Sequence, residues 1–75
     1  MKKPAKLALP RWLTPEGEPV SCLDKINVLN ENLTEIQEMA QEALEDAVLM
    51  GCDEAQFRTV LEQLARSLVN PYRKP

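Results

Sequence analysis

The side chains able to do chemistry are few. There are two cysteines, Cys22 and Cys52, and no histidine. A cysteine nucleophile needs a base beside it, and a zinc site needs ligands at CxxC-like spacing. Neither requirement is met, so no metal and no cofactor is expected. Cys52 precedes Asp53 and Glu54. Those carboxylates disfavour a thiolate, whereas the start of a helix favours one. A small thiol-based enzyme or carrier using Cys52 is therefore one alternative to carry forward.

The second chemical feature is a row of acids. Glu31, Glu35, Glu38, Glu42 and Glu45 step by four and three, which places them on one outer face of a helix. Di-metal bundles use inward carboxylates with a Glu-x-x-His motif, and histidine is absent. Glu35 and Glu38 as an acid–base pair would need a cleft and a raised pKa. A helical hairpin supplies neither, so the chain is not expected to be an enzyme. Like charges at i,i+4 destabilise a helix by a few tenths of a kcal/mol per pair, an order-of-magnitude figure, and no Lys interleaves them. The stripe is then either a solvated face or a surface that meets a basic partner.

These groups must be held by helices. Ser21 reads as an N-cap with Asp24 three residues on. From there Cys22, Ile26, Leu29, Leu33, Ile36, Ala40, Ala43, Ala47 and Met50 keep a four–three rhythm, the spacing of a coiled-coil seam. Gly51 fits the left-handed position that ends a helix. Asp53 caps the next helix, with Gln56 completing a capping box. Phe57, Leu61, Leu64 and Leu68 form its inner stripe, and Asn70-Pro71 stops it. The expected fold is all-α: an antiparallel two-helix hairpin, with a long helix over about 22–50 and a shorter one over about 54–69.

The two helices differ in length, roughly 43 Å against roughly 24 Å at 1.5 Å per residue. The shorter covers only the half of the longer that carries Ala40, Ala43 and Ala47. Ile26, Leu29, Leu33 and Ile36 lie beyond its reach. Leaving such side chains in water forgoes roughly 1.5–3 kcal/mol each. Their expected cover is a second copy, giving a homodimeric four-helix bundle with these four residues as self-interface.

The other cover available is the N-terminal arm. Residues 1–20 hold Pro4, Pro10, Pro15 and Pro19 and the single tryptophan, Trp12. The prolines keep the arm extended and lower its unfolded entropy, and Gly17 marks a turn tip. Leu7, Leu9, Trp12 and Leu13 either fold back over the open half or serve as a binding motif for another protein. The organisation expected is an arm at 1–20, a hairpin at 21–70 and a short tail at 71–75.

Charge bounds the partners. The formal net charge is −3, and between Ile26 and Phe57 there are eight acids and no Lys or Arg. That disfavours a general nucleic-acid binder, which needs a basic surface. Only the arm, with Lys2, Lys3, Lys6 and Arg11, keeps a nucleic-acid-associated regulatory role as an alternative. Proline and charge interrupt any signal-like apolar run, and no segment is long enough to span a bilayer. A cytoplasmic protein with reduced thiols is expected. The leading expectation is a non-catalytic protein-interaction module. It would be a small accessory or regulatory subunit of a larger, bacterial-type assembly. Trp12, Leu13, Glu35, Glu38 and Glu42 would contact a larger partner protein.

Overall fold

A computed structural model describes residues 4–73. Two α-helices make up the framework, α1 over Leu23–Leu49 and α2 over Glu54–Ser67. The described residues contain no strand, only an isolated antiparallel bridge between Leu13 and Pro19. Backbone packing divides the chain into two compact units whose boundary, between Glu42 and Ala43, falls within α1.

The connection from α1 to α2 lies wholly in the second unit and follows from three residues. The Cys52 N–H donates to the Ala47 carbonyl at 2.8 Å, and the Gly51 N–H donates to the Val48 carbonyl at 3.0 Å. This pair of bonds is a Schellman closure, which satisfies carbonyls that a helix end otherwise leaves open. It needs a left-handed residue after the cap, and Gly51 supplies it with φ +89°. Asp53 then caps α2 by accepting the Gln56 N–H at 2.9 Å. The return half of the expected capping box takes a different form: the Gln56 side-chain oxygen faces the Cys52 thiol at 3.9 Å. The two caps force a helical hairpin in which Leu44, Ala47, Phe57 and Leu61 are half-buried. Leu64, expected on the same inner stripe, stays exposed.

In the first unit α1 starts one residue later than Ser21 capping would place it. The Cys22 carbonyl accepts the Ile26 N–H at 3.0 Å, so Cys22 holds the cap position and Ser21 precedes it. Residues 12–20 double back on themselves. The Gly17 N–H donates to the Thr14 carbonyl at 2.9 Å, Thr14 N–H to the Glu18 carbonyl at 2.7 Å, and Val20 N–H to the Trp12 carbonyl at 2.9 Å. Pro15 sits at the second turn position, and Gly17 takes φ +86°. This is the form of a short hairpin closed by a left-handed glycine.

None of the described residues is buried.

Candidate functional site

All the residues singled out as interface candidates lie in the first unit. The hairpin fixes Trp12 beside Val20, and its indole projects onto α1. Trp12 Nε1–H donates to Asn30 Oδ1 at 2.7 Å, with both residues half-buried. Seven residues along α1, Gln37 Nε2–H donates to the Ala5 carbonyl at 2.9 Å. Asn30 and Gln37 are two turns apart and share a face. The arm therefore runs antiparallel to α1, clamped at both points. Leu33 lies between the clamps and lines a cleft of about 220 Å³ with Lys6, Leu7, Leu9, Thr34 and Gln37.

This geometry rotates the covered face away from the apolar seam. The half-buried positions run Ile26, Asn30, Leu33, Gln37 and Ala40, with Leu29 at one side. Ile36, expected in the same stripe as Ile26, Leu29 and Leu33, is 64% exposed, and Cys22 is also exposed. The cause is polar. A half-buried indole N–H needs an acceptor, and the arm's backbone carbonyl needs a donor. The arm settles over Asn30 and Gln37, which supply them. An apolar periodicity cannot register either residue; the signal available was an Asn and a Gln spaced seven apart along the seam's edge.

Leu13, next to Trp12, stays 57% exposed at the hairpin. Glu35, Glu38 and Glu42 are exposed on the far flank. Asn30, Glu31, Thr34, Glu35 and Glu38 line a shallow groove there. Among the described residues no ion pair involves Glu31, Glu35, Glu38 or Glu42, and none involves Lys6 or Arg11. Lys2 and Lys3 of the basic arm lie outside the described residues.

The cysteines are both free and exposed. Cys52 directs its thiol to the Asp53 carbonyl at 3.6 Å. Cys22 differs, because its side chain stands at the N-terminus of α1. A backbone hydrogen bond from Lys25 is the largest influence on its thiol; desolvation opposes it, and the Asp24 backbone and the Lys25 charge add to it. The net result holds the Cys22 pKa below the ordinary thiol value. The residue read from sequence as a seam position is thus a helix cap.

Among the described residues no group of three or more His, Cys, Asp or Glu converges as metal ligands. No described helix is long and apolar enough to cross a membrane. Comparison of the chain with protein-family models, curated proteins and solved structures finds no match. The first unit thus presents an apolar and polar clamp beneath the arm, an exposed hairpin tip and an exposed acidic flank at Glu35, Glu38 and Glu42.

Two predictions follow from the clamp and the cap. Asn30→Ala strands the indole N–H and is expected to lower stability by about 1 kcal/mol. It should also shift Trp12 fluorescence to the red. Unchanged emission and an unchanged melting curve would show that the clamp does not hold in solution. Iodoacetamide should alkylate Cys22 at a lower pH in the native chain than in denaturant, since only the native cap favours the thiolate. Peptide mass spectrometry reads this directly, and identical pH profiles would discount the cap.

Proposed function

We propose that this protein is a non-catalytic interaction module, a small accessory or regulatory subunit of a larger assembly, and that it self-associates as a homodimer. The observation that carries this reading is the absence of any buried side chain among the described residues. Ile36 at 64% and Met39 at 74% exposure leave apolar side chains of α1 open for association. Small domains with too little core commonly gain stability by association.

The two associations use different chemistry. Of the side chains expected at the self-interface, Ile26, Leu29 and Ile36 remain for self-association, since Leu33 lines the cleft beneath the arm. Partner binding draws on Leu13 at the exposed hairpin, on Trp12 as the anchor that positions it, and on Glu35, Glu38 and Glu42. Among the described residues none of these carboxylates is in an ion pair. They suit a partner with a basic surface, for which complementary charge raises on-rate and selectivity.

The deciding experiment is solution mass by light scattering across a concentration series, on wild type and Leu29→Asp. Wild type is expected at twice the chain mass, with the variant dissociated or unfolded. A wild type that stays monomeric throughout overturns the homodimer. In parallel, affinity capture with wild type should recover a partner that the Glu35→Gln, Glu38→Gln, Glu42→Gln triple variant loses. Identical recovery with both would remove the acidic flank from the binding surface.

A further inference from the structure

The arm and its hairpin meet α1 without being built into it. Both clamps use side chains of the helix, Asn30 Oδ1 for the Trp12 indole and Gln37 Nε2 for the Ala5 carbonyl. Releasing them breaks none of the backbone bonds that hold α1. The hairpin closes on itself through Thr14–Glu18, Gly17–Thr14 and Val20–Trp12, and the first bond on the helix side is Ile26–Cys22. Ser21 stands exposed between the two sets, and among the described residues no backbone bond outside the helices crosses it.

Packing along the contact is loose. Leu7 and Leu9 remain 45% and 55% exposed, Trp12 and Leu33 are half-buried, and the cleft of about 220 Å³ stays open between arm and helix. Among the described residues no ion pair ties Lys6 or Arg11 to α1. A segment with few buried apolar contacts opens locally at a free energy well below that of global unfolding.

We propose that residues 5–20 form a releasable strap. They swing off α1 as one piece about Ser21, with hairpin and helix both intact, and close again on the two clamps. Pro10 lies between the clamps, and Pro15 and Pro19 lie in the hairpin. These prolines stiffen the segment, so loss of the far clamp is felt at Trp12. Closed, the strap holds the indole against Asn30 and covers Leu33. Open, it presents Trp12 together with Leu13. The closed contact is therefore autoinhibitory toward a partner that takes Trp12. That use rests on the interaction-module reading; the opening itself does not.

Hydrogen exchange of indole and amide groups, followed by NMR on the full chain, tests the strap. In wild type the Trp12 indole N–H should be protected, but at least about tenfold less than the Leu33 and Ile36 amides within α1. Gln37→Ala removes the far clamp and places the best helix former in α1, so the helix should keep its protection. Indole protection should fall about fivefold, the equilibrium equivalent of one lost hydrogen bond, although the Trp12–Asn30 pair is untouched. A wild-type indole with no protection means that the strap never closes. One protected as well as the Leu33 amide means that it never opens apart from the helix. Either result overturns the proposal. An unchanged indole rate in Gln37→Ala overturns the one-piece motion, and a helix that loses protection in step with the indole makes the opening an unfolding of α1, which overturns it too. None of these results bears on the partner reading, which affinity capture decides separately.

Discussion

The indole N–H of Trp12 and the side-chain oxygen of Asn30 lie 2.7 Å apart, and the placement of the arm depends on that contact. A tryptophan brings a large apolar body and a polar edge that must be satisfied when it leaves water. No purely apolar seam could receive it. The helix face that does receive it includes an asparagine and, two turns on, a glutamine. The hairpin at Thr14–Glu18 makes the contact affordable in entropy, since Pro15 and Gly17 restrict the chain before it docks. The same placement leaves Ile36 and Met39 exposed beside the arm.

Charge is the second organising constraint. The stretch from Ile26 to Phe57 holds eight acids and no Lys or Arg, and like charges along a helix disfavour it slightly. The helix persists because its residues are good helix formers, without proline or glycine inside it, and because both its ends are closed by specific bonds. Segregating acids on one flank and apolar side chains on the other separates two kinds of recognition. In the proposed function one flank selects a basic partner, and the other accepts a copy of itself.

The thiol of Cys22 illustrates how a small shift in register changes a residue's role. Placed one turn into α1, Cys22 would be a modest apolar contact. At the cap it meets backbone donors instead, and its acidity follows from that position. Ser21 is the better cap by preference alone. The backbone exit from the hairpin sets which residue reaches the helix start first. The Val20–Trp12 bond belongs to that exit.

Much of the framework was legible in the residues because its causes are local. Gly51 and Asp53 each act within a few positions of themselves, so the end of α1, the turn and the start of α2 follow from short-range rules. The four–three rhythm likewise announces a long helix. Its bounds, Leu23–Leu49, differ by one residue at each end from those the rhythm implies. The stretch of acids was equally plain, as was the turn at Gly17. The candidate site was legible only in part. Trp12 and the glutamates could be named, but not the partners of the indole or of the arm's backbone. Asn30 and Gln37 are ordinary surface residues by type, and their spacing becomes meaningful only when a second segment crosses them. Sequence by itself determined the two helices, the turn between them and the sign of the surface. The tertiary structure decided which face of α1 is covered, because a half-buried indole N–H demands a hydrogen-bond acceptor that apolar periodicity does not encode.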